Sequence, residues 1–299
     1  MKVQKLILFG FVLFTSTFLP CSAQSQESRI TSNLHCLWKV DGASNTVYLL
    51  GSIHLLKQED YPLAQPLEAA YVNSQVVAFE TDIGAMDNIS TQMKLLAKVQ
   101  LPAGETLEQQ LTPATYLALS NRVVQSGLPM MMFTQMQPFM VVMTLEVLEL
   151  QKLGVDAAFG VDKRFYERAT KDGKQIVPLE TVDFQIGLLT SFTKDEGEAV
   201  VKSTLEEIET TSKEFKTITA VWKIGDASSL AKLLNESAEK FPVIFKRLIT
   251  SRNQDWVPKI QELLNGGKNA VVIVGAGHLV GKDSVVELLK KKGFKVTQL

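Results

Sequence analysis

The chain has 299 residues, 45% of them hydrophobic, with 31 basic and 32 acidic side chains and a formal net charge of −1. A near-neutral chain without a basic block argues against nucleic acid or an anionic membrane surface as the main partner. The apolar content is ample for a buried core, and two cysteines in such a length exclude a disulfide-stapled scaffold.

The first residues read as a secretory signal. Lys2 and Lys5 give a positive start, Leu6 to Leu19 an apolar run broken mainly by Thr15, Ser16 and Thr17, and Pro20-Cys-Ser-Ala23 a small-residue exit. Cleavage is therefore expected after Ala23. The run is shorter than the about 20 residues of a membrane span, so the expected product has no transmembrane segment and is periplasmic or secreted. An uncleaved anchor and a lipid attached at Cys21 are the alternatives. Losing residues 1–23, with two lysines and no acid, takes the formal charge to −3 and leaves Cys36 as a lone thiol among Leu34, Leu37 and Trp38, read as buried and inert. Residues 24–33 are polar and read as a flexible segment, and residues 34–299 as a single domain.

The domain opens with strand-like runs, His35 to Val40 and Thr46 to Leu50, joined by the turn-forming Asp-Gly-Ala-Ser-Asn, which predicts a hairpin. Pro66 to Val72 reads as a helix and Gln75 to Phe79 as a buried strand ending at Glu80. Helical patterns follow from Met86 to Gly127. Leu128 to Leu153 holds most of the methionines and is interrupted by Gln135, Gln137, Pro138, Glu146 and Glu149, which predicts a buried helix with a polar stripe and methionines as packing. A helix over Val161 to Asp172, a short strand Gln175 to Val177 and further helices from Val182 to Leu264 come next. Ala270 to Val274 is a pure β-run, Ser284 to Lys292 an amphipathic helix, and Phe294 to Leu299 a last strand. The fold class expected is α/β, a central mostly parallel sheet with a helical insertion.

Two of the three histidines share a local frame. Val47-Tyr-Leu-Leu-Gly-Ser-Ile-His54 and Ala270-Val-Val-Ile-Val-Gly-Ala-Gly-His278 are each a buried-type strand, a glycine, and a histidine three residues on. Sites in open α/β sheets form at the carboxyl ends of strands, and glycine allows the tight turn that brings a side chain there. A third strand ends at Glu80-Thr-Asp82. Two imidazoles and a carboxylate are a usual ligand set for a divalent ion that keeps one position open for water, so His54, His278 and Glu80 are the candidate metal ligands. The plainer reading makes each a strand-end hydrogen-bonder or solvated cap; His35 lacks the frame and is taken as structural.

Pro178-Leu-Glu-Thr181 places Glu180 after another strand, as a candidate general base or an ordinary acid at a helix start. In Thr250-Ser-Arg-Asn-Gln-Asp-Trp256, Arg252 could clamp a carboxylate or stabilise an oxyanion, or make a surface salt bridge. There is no HExxH, no Gly-x-Ser-x-Gly and no Walker loop, so the common zincin, serine-hydrolase and triphosphatase templates do not apply.

Gly51-Ser-Ile-His54, Phe79-Glu-Thr-Asp82, Pro178-Leu-Glu-Thr181, Ser251-Arg-Asn-x-x-Trp256 and Val274-Gly-Ala-Gly-His-Leu-x-Gly281 together resemble the TraB/PrgY/GumN family, and within it the exported GumN-type members similar to the Tiki proteases. The resemblance covers residues 34 to 299. It implies an erythromycin-esterase/ChaN-like fold and a metal-dependent, peptidase-like activity at His54, His278 and Glu80, with manganese or cobalt as the ion and zinc as an alternative. Glu180, Arg252 and Asn253 match recurring family positions. The expected protein is thus an exported metallohydrolase cleaving a peptide or protein substrate. Glu180 or Asp82 would take the proton of the bound water, and Arg252 with Asn253 would bind substrate. The rival is a non-enzymatic binder of a peptide, a haem-like ligand or a metal.

Overall fold

The computed structural model describes residues 34–299; the expected signal peptide and the polar segment 24–33 lie outside the described residues. The hairpin forms as the turn composition predicts. β1 (Leu37–Asp41) and β2 (Thr46–Ser52) pair antiparallel, and Gly42 N–H donates to Asn45 O at 3.0 Å to close the turn. β3 (Val76–Phe79), β4 (Gln175–Pro178), β5 (Ala270–Gly275) and β6 (Val296–Gln298) complete a six-stranded sheet in the order β4-β3-β5-β2-β1-β6.

The run from β4 to β2 is parallel throughout, and only β1 opposes its neighbours. β3 and β5 are buried at every position, as continuous apolar strands covered on both faces should be.

The main helices are α1 (Gln65–Val72), α2 (Ile89–Val99), α3 (Pro113–Gln125), α4 (Pro138–Gln151), α5 (Val161–Lys171), α6 (Val182–Thr190), α7 (Lys194–Glu207), α8 (Thr211–Lys223), α9 (Ala227–Lys240), α10 (Ser251–Asn265) and α11 (Val285–Lys291). Apolar side chains gather in two clusters, one about the sheet and one among α2 to α4, α6, α7 and the segment leading into α10. Mixed α/β architecture with a mostly parallel sheet and a helical insertion is therefore observed. No helix among the described residues is long and apolar enough to cross a membrane.

The expected helix over Leu128 to Leu153 is shorter than its apolar composition suggests. Met130–Phe133 form one 3-10 turn, and the α-helix begins only at Pro138. Proline disfavours helical backbone in the residue before it and suits the first helical turn. Met140 and Met143 are buried, whereas Met131 and Met132 are 81% and 64% exposed, so packing explains only some of these methionines.

Candidate active site

β2, β3, β4 and β5 run in the same direction, so their carboxyl ends share one rim, and His54, Glu80, Glu180 and His278 all follow those ends within three residues. Glu180 N–H donates to Glu80 O at 2.9 Å, which carries the β3–β4 ladder past the strands and sets the two glutamates side by side. β5 ends in a single turn, Ala276–His278, that drops the second imidazole into the core.

Arg252 joins these groups. It enters from the first turn of α10, directly after the π-helical turn Lys246–Thr250, a feature frequent at functional sites. Its Nε donates to both oxygens of Glu180 at 3.1 Å, and Nη2 donates to Glu180 Oε1 at 2.6 Å and Glu80 Oε2 at 2.5 Å. Nη1 donates to Leu248 O at 3.0 Å and meets His278 Nε2 at 3.2 Å. All of its nitrogens thus bond within the protein, and the side chain is fully buried.

Each carboxylate is further fixed. Glu180 accepts from Gln185 Nε2 at 2.8 Å and Trp256 Nε1 at 3.0 Å, and Glu80 Oε1 accepts from the Gly275 N–H at 2.8 Å. Burial alone would raise the Glu80 pKa. Arg252, the two imidazoles and the Gly275 N–H together hold it down at about 2.

The two histidines are both held through Nδ1, but by different partners. Asn253 Nδ2 donates to Asp283 O at 2.8 Å, which turns its Oδ1 to His278 Nδ1 at 2.6 Å. Nδ1 of His278 is therefore the protonated nitrogen, and Nε2 accepts from Arg252. Burial, and then the Arg252 charge, press its pKa down to about 3. His54 Nδ1 lies 2.8 Å from Asp162 Oδ2, and its buried Nε2 has no hydrogen-bond partner among the described residues. Burial lowers His54 too, but Asp162 and Glu80 outweigh it and raise the imidazole to about 9.

Of the residues expected from sequence, His54, His278, Glu80, Glu180, Arg252 and Asn253 are gathered at the rim. Asp82 is not turned into this network. It caps the short helix Ile83–Met86 by accepting from Ala85 N–H at 3.1 Å, and it accepts from Tyr166 Oη at 2.9 Å. Arg252 and Asn253, expected to meet substrate, spend their polar atoms on Glu80, Glu180, His278 and backbone carbonyls. Asp162 was missed; a first-turn acid after Gly160, 108 residues from His54, carries no local signal beyond an ordinary helix start.

The TraB/PrgY/gumN family profile matches residues 36–298. The chain belongs to this family. An uncharacterised family relative, YbaP of Escherichia coli, is 25% identical over 81% of this chain and 87% of its own length. A metalloprotease TIKI homolog of Amphimedon queenslandica is 23% identical, covering 98% of this chain and 67% of the relative, and metalloprotease TIKI1 of Danio rerio is 25% identical over 92% and 65%. No solved structure matches the chain significantly.

A bound metal ion needs several donors converging on one point. Among the described residues, no three His, Cys, Asp or Glu side chains stand close enough to hold one. The expected cage of His54, His278 and Glu80 is therefore not closed in this arrangement. Arg252 instead bonds to Glu80 Oε2 and meets His278 Nε2. In kind, however, the donors suit a divalent cation: His54 offers an unpartnered Nε2, and both imidazoles are pinned through Nδ1 to an oxygen, the outer-shell pattern of ligating histidines.

Proposed function

We propose that this member of the family is an exported metal-dependent hydrolase that cleaves peptide bonds at the rim of β2, β3 and β5. One observation carries the reading. Two imidazoles, each anchored through Nδ1, and a buried carboxylate follow the ends of three adjacent parallel strands.

His54, His278 and Glu80 would hold the ion. A divalent ion bound there would supply a Lewis acid and lower the pKa of a water molecule. The remaining residues shape the site: Arg252 balances the charges of Glu80 and Glu180, Glu180 anchors Arg252, and Asn253 fixes the His278 tautomer. The names of the TIKI relatives support both the metal and the peptide substrate. Lys2, Lys5 and the apolar run after them support export. The mostly parallel sheet is compatible with an erythromycin-esterase/ChaN-like fold, which we propose on the family resemblance.

The test is hydrolysis of a peptide library by residues 24–299, metal-stripped and then supplied with manganese, cobalt or zinc. Cleavage that appears only with metal and vanishes in His54→Ala and His278→Ala is the expected result. Retention of a peptide without product, with or without metal, would replace the hydrolase by a binding protein.

A further inference from the structure

His54 and His278 share a sequence frame but are held by unlike partners, an aspartate and an asparagine. We propose that Asp162 is the positioning residue of this site: by accepting the Nδ1–H of His54 it leaves Nε2 as the one ring nitrogen that can meet a reacting group. The proposal rests on the reading of His54 as part of a hydrolytic centre.

The pairing is built by its surroundings. Asp162 is the second residue of α5, and the start of that helix is tied to the segment carrying His54 by backbone bonds. Val161 N–H donates to Ile53 O at 3.0 Å and Asp156 N–H to Leu56 O at 2.9 Å. Gly160 makes the approach possible, since a Cβ there would stand 2.4 Å from His54 O. Among the described residues Asp162 Oδ1 is buried without a hydrogen-bond partner, so the hydrogen bond seen to orient the carboxylate is the one from the imidazole. His54 Nε2, also buried and unpartnered, is then the open end of a relay from helix to ring. Carboxylates behind a functional histidine characteristically fix its tautomer and aim.

The chain has three histidines, so ring signals of a ¹⁵N-histidine-labelled protein are few enough to assign by comparison with single substitutions. Long-range ¹H–¹⁵N correlations on metal-free protein, from about pH 6 to about pH 10, read which nitrogen of His54 carries a proton. In the wild type, Nδ1 is protonated throughout. In Asp162→Ala the neutral ring becomes the Nε2–H tautomer while His278 is unchanged. In Asp162→Asn the amide oxygen preserves Nδ1–H. With metal and peptide, kcat falls about 10–100-fold in Asp162→Ala with little change in KM, and Asp162→Asn recovers part of it. Unchanged His54 signals in Asp162→Ala would overturn the proposal. So would an Nε2–H tautomer in Asp162→Asn, which decides the matter if the alanine variant does not fold. A tautomer switch in a protein that hydrolyses nothing would uphold Asp162 as the positioning residue and overturn the hydrolase reading instead.

Discussion

Arg252 grips Glu180 through two nitrogens, with Nε reaching both carboxylate oxygens at 3.1 Å and Nη2 reaching one at 2.6 Å, and the guanidinium is wholly buried. Such a group is stable only while its partners are present, because an unpaired buried charge keeps its desolvation cost. Arg252→Met leaves Glu80 and Glu180 facing each other without the guanidinium that pairs with both. The expected loss is about 3–5 kcal/mol in urea denaturation. Arg252→Lys keeps the charge but not the fork and falls between. Adding Glu180→Leu to Arg252→Met restores part of the loss, and the double-mutant cycle reads the coupling.

The two motif histidines differ in what their removal costs. His278 is fully buried, and its loss would leave Asn253 Oδ1 and Arg252 Nη1 short of a partner beside a new cavity against Trp256, whose ring centroid lies 4.4 Å away. His54 has one hydrogen-bond partner and retains some exposure. His278→Ala should therefore cost roughly 2–4 kcal/mol and His54→Ala distinctly less, although both abolish hydrolysis. Equal losses in thermal and urea melts would mean that the two frames are structurally equivalent after all.

Much of this site was legible because its parts sit at the ends of apolar strands. The Gly-x-x-His frames mark β2 and β5, and Glu80 and Glu180 follow the next two parallel strands, so one rule about strand ends finds four residues. Arg252 and Asn253 were named as residues, but their buried partners were not, since nothing in a helical segment says whether a charged side chain points to water or to a buried glutamate. Asp162 was not found at all: its partner is distant in sequence and the contact depends on Gly160 admitting α5 against His54. In the fold, the hairpin and the strands were readable from β-rich runs. The start of α4 was not, because apolar residues continue on both sides of Pro138, which decides where the helix can begin.

Gly51 holds the two motifs together. It pairs with Val274 in the β2–β5 register, its carbonyl accepts from Trp222 Nε1 at 2.8 Å, and a Cβ at this position would lie 3.1 Å from both Cα and Cβ of Ala276. Gly51→Ala must push β2 and the turn before His278 apart by a few tenths of an ångström. A loss of about 1–3 kcal/mol is expected, accompanied by a fall in kcat because both imidazoles shift. Trp222→Phe removes the hydrogen bond to the Gly51 carbonyl together with part of a buried ring, so it should cost about 1–3 kcal/mol with a smaller effect on kcat. Comparing kcat in the two variants at equal stability separates movement of the site from general weakening.

Glu146 supplies a pH dependence that does not involve the site. It lies in α4, fully buried, and neither oxygen reaches a hydrogen-bonding geometry with a donor among the described residues. Burial drives its carboxyl up to about 8; the nearby Thr204 hydroxyl opposes this and the charge of Glu214 adds to it. The unfolded chain releases this proton near the ordinary value of about 4.5, whereas the folded chain keeps it until near 8. Between those limits the folded state binds one proton more than the unfolded state, so raising the pH drains stability, by at most about 1.4 kcal/mol per pH unit from this group. Below the window the contribution is fully retained, and above it the loss is complete. Glu146→Gln carries no titratable group and should lose this slope. Urea midpoints of the two proteins should therefore converge near the acid limit and separate progressively toward alkaline pH, the glutamine variant being the more stable. Parallel midpoints across the window would show instead that Glu146 is ionised in the folded chain and balanced by a cation or water within the helical cluster.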